Sequence, residues 1–460
     1  MFRGDLVNGN INLTKGNIYK GLISLSLPIM LTSFIQTSYN LMDLFWLGKL
    51  STDAVAAAGT VGFFTWLANS IVIVPRIGAE VGVAESIGAN KKDLVKKFIN
   101  NSMQLTIIIG IIYAFILLIF KEQLIGFYNL NNEIVEGMSV DYLTIIASGM
   151  IFTFINPVMS GIYNGWGRSK TPFIINTIGL VVNIVLDPIF IFGFYNIPAM
   201  GIKGAGYATV FAQFIVTLLF FIVGKRQLKI NKNFKVIEKI DKICMKRIIS
   251  IGFPAALQAC TFAIISMVAA RIIANWGKEA IAAQKIANQI ESITWMTVGG
   301  FSTALSAFIA QNRGAKNNSR IIEGYHKGIK IVIGIGFATF SLLFFAAEPL
   351  FKIFIADDPV TISIGIQYLK ILALSEVLMS LEVGITGVFN GFELTKVPAI
   401  TGIILNAIRI PLFLIVKNMG FDLKYVWWII SITAMLKGLI LLMLVKKPLN
   451  NLKKEEYLDY

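Results

Sequence analysis

Apolar residues run along this chain in long, nearly unbroken stretches separated by short polar intervals. A helix rises 1.5 Å per residue, so roughly 18 or more apolar residues are needed to cross ~30 Å of hydrocarbon. Twelve stretches reach that length, at roughly 17–47, 54–85, 98–120, 137–163, 171–193, 204–224, 247–275, 280–310, 329–347, 360–390, 397–416 and 425–445. Barrel strands would instead alternate over ~10 residues, so the pattern predicts an all-α polytopic membrane protein with twelve transmembrane helices. The longest polar connection, KRQLKINKNFKVIEKIDK from Lys225 to Lys242, falls near the middle. It predicts a six-helix lobe over residues 1–224, a basic linker over 225–246, and a second six-helix lobe with a cytoplasmic tail over 247–460.

Sliding the second lobe onto the first by 226 positions aligns Pro28 with Pro254, Ala54 with Ala280, Ala56 with Ala282, Gly88 with Gly314, Tyr142 with Tyr368, Asn164 with Asn390, Gly165 with Gly391 and Pro172 with Pro398. One register kept over most of a lobe predicts parallel repeats related by a pseudo-two-fold axis along the membrane normal, with a cavity between them. Past a three-residue shift, Asn183 falls opposite Asn406 and Pro188 opposite Pro411. Asp43, however, meets Ala269, and Asp187 meets Ile410, so these two carboxylates belong to the first lobe alone.

Composition agrees with the pattern: 56% of residues are hydrophobic and 15% charged, with a mean hydropathy of +0.72. The net charge of +15 is topology rather than a nucleic-acid footprint. Loops after even-numbered spans hold 21 Lys and Arg, whereas loops after odd-numbered spans hold seven: Lys49, Lys121, Lys203, Lys278, Lys352, Lys417 and Lys424. By the positive-inside rule the even loops and both termini are cytoplasmic, which places the chain as a multi-pass protein of the plasma (inner) membrane, with the lipid bilayer as its partner. A functional monomer is expected. The first span is too long for a signal h-region, so the start is expected to be mature protein. Cys244 and Cys260 are the only cysteines and imply no disulfide framework.

Enzyme chemistry finds no support. His326 is the single histidine, and HExxH, GxSxG and Walker A patterns are missing. The chain is read as no enzyme and as needing no cofactor, with an ion gradient as its energy source.

An acid at the bilayer centre costs roughly 2.5–3.5 kcal/mol on insertion scales, so Asp43 and Asp187 should face a cavity, a partner or each other. Gln36, Asn40 and Asp43 share one helical face; so do Asn176, Asn183 and Asp187, and Thr209 with Gln213. Oxygen ligands of this kind suit a small hard cation, and two acids held together out of water can instead share a proton. Pro188 leaves the carbonyl of Ile184 without its usual donor, which offers either a cation ligand or a hinge. The alternative is that Asp187 only pairs with a neighbour and Pro188 only kinks its helix. In the second lobe Gln284, Asn288 and Glu291 share a face, and Arg271, Lys285, Glu376, Glu382 and Arg409 also fall within spans. A substrate cavity and salt-bridge glue both account for them. The 34 Phe and 15 Met residues would give a cavity adaptable walls, or simply face lipid.

The segments LPIMLTSFIQTSYNLMDLFWLG (27–48), AVAAAG (54–59), NGWGRSKTP (164–172) and NIVLDP (183–188), set in two six-helix lobes, resemble the MATE (multidrug and toxic compound extrusion) transporters. The likeness covers essentially the whole chain. It implies a V-shaped antiporter that exports amphipathic, often cationic, drug-like compounds while H+ or Na+ enters. In its DinF-like branch the ion site lies in the first lobe, and the residues that match it are Asp43, Asn183, Asp187 and Thr209. The NorM branch carries a second-lobe acid shortly after the span 7 proline; here Pro254–Phe262 reads PAALQACTF, without a carboxylate, so no second-lobe ion site is carried over. The alternative within the superfamily is a flippase for lipid-linked saccharides, which would need a cationic cavity drawing on Arg76, Arg271, Lys285 or Arg409.

Overall fold

The computed structural model describes residues 11–130, 132–227, 239–355 and 358–458; residues 228–238 of the expected linker lie outside the described residues. The described chain is helical, with one isolated bridge between Phe194 and Ile197. In order, the helices are α1 Ile18–Leu50, α2 Thr52–Gly88, α3 Lys92–Ile119, α4 Lys121–Gly126, α5 Glu133–Ser148, α6 Met150–Gly165, α7 Lys170–Phe192, α8 Ile202–Gln227 and α9 Lys242–Ile273. A 3-10 turn at Ala274–Trp276 follows, then α10 Lys278–Gly314, α11 Asn318–Phe345, α12 Ala347–Lys352, α13 Pro359–Ala373, α14 Glu376–Gly391, α15 Lys396–Ala407, α16 Arg409–Asn418, α17 Lys424–Leu444 and α18 Lys446–Leu458.

Among the described residues ten spans are long and apolar enough to cross a membrane, and the total is twelve when each of two bent pairs counts as one. The bent pairs are α5 with α6, at 49°, and α13 with α14, at 57°. Hydropathy sees neither bend, because the apolar run continues across Gly149 and across Leu374–Ser375. Several helices also outrun their apolar windows. α3 begins at Lys92 and α11 at Asn318, in polar turns that stay solvated while their backbone bonds continue the helix.

The 226-residue repeat is written into the turns as well as the spans. Asn132 caps α5, accepting from the amides of Ile134 and Val135, and Asp358 caps α13 in the same way through Val360 and Thr361. Left-handed backbone recurs at Asn90 and Lys316, with φ of 56° and 55°, and at Gly167 and Glu393, with φ of 82° and 63°. Close helix packing recurs too. A Cβ on Gly165 would press into the carbonyl of Glu80, and one on Gly391 would sit 2.7 Å from the carbonyl oxygen of Ser306. Helices surrounded by lipid gain little from apolar burial against each other, so small residues that let backbones approach hold them together.

The packing divides the chain into two compact units. One takes in Leu31–Ile87 and Lys91–Gly252, the other Asn12–Met30, Gly88–Asn90 and the chain from Phe253 onward. α1 therefore changes unit two residues after Pro28, and α9 changes unit immediately before Pro254. The first unit is cored by Phe98, Phe154, Tyr163 and Phe220, and Tyr113 Oη donates to the Phe64 carbonyl at 2.7 Å. The second is cored by Phe301, Phe308, Phe389 and Trp427, the last of these packed on Tyr368 with ring centroids 4.3 Å apart.

Candidate functional site

Four side chains from three helices of the first unit converge. α7 carries Asn183 and Asp187 one turn apart on its buried face, both fully enclosed. Asn183 Nδ2 donates to Asp187 Oδ1 at 3.1 Å, and Thr209 Oγ1 of α8 donates to Asp43 Oδ2 of α1 at 3.2 Å. The two carboxyls act on each other electrostatically. What remains unpaired is all oxygen: Asp43 Oδ1, Asp187 Oδ2 and Asn183 Oδ1 are buried without a donor. A buried acceptor left without a partner costs about 1–3 kcal/mol, more for a charged one, and a positively charged group placed among these three oxygens would satisfy them. Two carboxylates, an amide oxygen and a hydroxyl offer the ligands a small hard cation or a proton takes. α7 runs unbroken through Pro188 to Phe192.

Two aromatic residues complete the surroundings and were not singled out in the sequence. Tyr39, one turn before Asp43, and Tyr142 of α5 are both buried, and both lie within the electrostatic reach of Asp43 and Asp187. Tyr39 Oη has no hydrogen-bond partner. It fits against α7 because position 179 is glycine, where a Cβ would collide with Tyr39 Oη and with Val216. The sequence did hold one signal for Tyr142, its repeat mate Tyr368.

The other expected polar positions are placed elsewhere. Gln36 and Asn40 are exposed, although they share a helix with Asp43. Asn176 Nδ2 donates back to the Pro172 carbonyl at 2.7 Å. Gln213 accepts from Asn156 Nδ2 at 2.7 Å, and Thr217 Oγ1 donates to Asn156 Oδ1 at 2.7 Å, a polar lock between α6 and α8. In the second unit Gln284 is half-buried, the exposed Asn288 accepts from Tyr368 Oη at 3.2 Å, and the buried Glu291 accepts from Trp295 Nε1 at 2.9 Å. Arg409 donates to Thr433 Oγ1 at 2.7 Å and to the Ile430 carbonyl at 3.3 Å. Lys437 Nζ stands 2.9 Å from Glu382 Oε2, close enough for an ion pair but off the line of a hydrogen bond.

A family model described as MatE matches residues 28–189 and 254–415, two stretches offset by the same 226 positions as the helices. A probable multidrug resistance protein NorM of Thermotoga maritima is 29% identical over 419 residues, covering 89% of this chain and 88% of that protein. An FAD transporter of Shewanella oneidensis is 26% identical over 352 residues, covering 76% and 77%. Among solved structures, a MOP superfamily transporter from Pyrococcus furiosus has the same fold, with a TM-score of 0.87 at 22% identity over 97% of this chain and 99% of the other.

Proposed function

Since the chain belongs to the MATE family of membrane transporters, and is therefore no enzyme, we propose that it is a secondary multidrug efflux antiporter. It exports amphipathic, often cationic, compounds in exchange for H+ or Na+. The observation that carries this reading is the buried oxygen cluster at Asp43, Asn183, Asp187 and Thr209, with three of its oxygens left without donors. Asp43 and Asp187 bind the entering ion, Asn183 and Thr209 complete its shell, and Pro188 lets α7 bend as the site fills. A ligand that binds two conformations equally shifts neither. Ion binding must therefore favour one access state and substrate the other, which is alternating access. The chain works as a monomer in the plasma membrane with both termini in the cytoplasm.

The relative named for multidrug resistance supports a drug-like cargo. The flippase alternative draws on free cations at Arg76, Arg271, Lys285 or Arg409, and of these Arg409 is tied to Thr433 and Ile430. The test is efflux of a fluorescent cationic dye from drug-sensitive bacteria expressing the wild type or Asp187→Asn at matched membrane levels. Rapid efflux that disappears in the variant supports the antiporter. Unchanged efflux from the variant refutes the role given to Asp187.

A further inference from the structure

The first turns of α9 carry more positive charge than their neighbours neutralise. Lys97 of α3 stands 2.9 Å from Asp241, and Arg247 pairs with Glu85 of α2. Asp241 and Glu85 are thereby engaged. Lys242 and Lys246 lie one helical turn apart, both exposed, and neither has a carboxylate partner among the described residues. Like charges at i and i+4 repel each other, and cations in a first turn oppose the helix dipole. An anion seated between the two side chains would offset both effects.

The same two lysines border an open groove of about 430 Å³ whose other walls are Ile240, Met245, Ile249 and Ser250. Ser250 Oγ donates to the Arg247 carbonyl at 2.9 Å, so the side-chain donors of the groove are the two ammonium groups. The remaining walls are apolar, and Ile240 and Ile249 are exposed. At 1.5 Å per residue Lys242 and Lys246 stand about 6 Å apart along the helix axis, a separation that two flexible ammonium groups can close on one phosphate. Lys246 adjoins the apolar part of a helix long enough to cross a membrane, at the end that the basic loops assign to the cytoplasm. Paired cations beside a wall of isoleucine and methionine complement a molecule with an anionic head and a hydrocarbon tail, and the cytoplasmic leaflet is where anionic lipids attract basic segments.

We propose that this groove binds an anionic phospholipid of the cytoplasmic leaflet, with Lys242 and Lys246 on its phosphate and Met245 and Ile249 against the start of an acyl chain. The repeat supplies an internal comparison. The 226-position offset puts Lys246, Ile249 and Ser250 opposite Lys20, Ile23 and Ser24, but Lys242 opposite Gly16, so the pair of lysines belongs to the first unit alone. The groove is separate from the Asp43 cluster and stands whether or not the proposed function does.

Native mass spectrometry of the detergent-purified full-length protein, offered equal amounts of phosphatidylglycerol and phosphatidylcholine with the same acyl chains, reads the preference directly. Wild-type protein should retain phosphatidylglycerol over phosphatidylcholine. In Lys242→Gln/Lys246→Gln that preference should fall roughly 30-fold, the combined effect of two lysines near an anionic surface. Lys20→Gln, which removes the repeat counterpart of Lys246, should leave it unchanged. Retention of neither lipid or of both equally by the wild type, a preference that survives in the double variant, or an equal loss in Lys20→Gln would each overturn the site. Wild-type dimers that the double variant loses would assign the groove to a second copy of the chain, and displacement of the lipid by glycerol phosphate would make its ligand a soluble anion; either result also overturns the proposal. Thermal melts within a few degrees of the wild type, measured on the same samples, confirm that each variant is folded.

Discussion

Gly391→Ala is a sharp test of the packing, because the added methyl meets backbone rather than a movable side chain. Its Cβ would lie 2.7 Å from the Ser306 carbonyl oxygen and 2.7 Å from Ile309 Cβ, whereas ordinary contact begins at 3.4 Å. α14 and α10 would have to part by about 0.7 Å, and overpacking of this kind costs about 1–3 kcal/mol. Gly334→Ala is the control, since Gly334 sits in α11 with nothing within 4 Å of the added atom. Both substitutions gain helix propensity, up to about 1 kcal/mol, so their difference isolates the contact. The expected gap is about 1–3 kcal/mol, or roughly 5- to 150-fold in a folding equilibrium, with Gly391→Ala the less stable. The assay is the apparent melting temperature of detergent-solubilised protein followed by size-exclusion chromatography. Gly165→Ala should behave like Gly391→Ala, because its methyl presses on Glu80 at the equivalent place in the repeat. If Gly391→Ala melts with Gly334→Ala, the close approach of α14 and α10 is not what holds this unit together.

Thr209→Val removes the hydroxyl beside Asp43; a hydrogen bond to a charged group contributes about 1.5–3 kcal/mol. Should Na+ be the coupling ion, the concentration giving half-maximal transport in proteoliposomes should rise roughly 10- to 150-fold, and an unchanged value would remove Thr209 from the site. Lys437→Met alone strands Glu382 in the interior and should cost about 3–5 kcal/mol, whereas Lys437→Met with Glu382→Leu should recover most of that loss; equal instability of the single and double variants in thermal melts would contradict the pairing. Ahead of α9, Asp241 lies 2.9 Å from Lys97 Nζ and accepts from the amides of Ile243 and Cys244 at 3.0 and 3.1 Å. Lys97 first, and then these amides, hold its carboxyl below the ordinary 3.8. A depressed carboxylate stabilises the fold above its ordinary value and loses that contribution as pH falls through the folded value. The melting difference between wild type and Asp241→Ala should therefore be full at neutral pH and close in acid; a difference constant across pH would refute it.

The membrane fold was legible because hydrocarbon forbids unsatisfied backbone, so each span announces itself as a continuous apolar run. The bends at Gly149 and at Leu374–Ser375 were not, since a change of direction inside the bilayer alters no hydropathy. The repeat was legible in residues such as Gly165 and Gly391, and its physical content is the contact each glycine makes with the neighbouring helix. The acid pair stood out because carboxylates are costly in lipid, and Asn183 with Thr209 followed from helical spacing and the family likeness. Tyr39 and Tyr142 were hidden, as aromatic rings belong in apolar spans for many reasons. Gln213 shared a face with Thr209, yet its amide turns to Asn156, a partner on another helix that spacing along one helix cannot reveal. Glu376 was visible as an intramembrane acid, but its full burial depends on how α10, α11 and α14 pack.

The most direct test of the central claim is ion-driven transport in proteoliposomes, with a fluorescent organic cation inside and either a sodium or a proton gradient imposed. Wild-type protein should move the cation when one of the two gradients is present and stop when it is collapsed, and Asp43→Asn and Asp187→Asn should abolish the movement while remaining folded. Gradient-driven transport at wild-type rates in both variants would contradict the account.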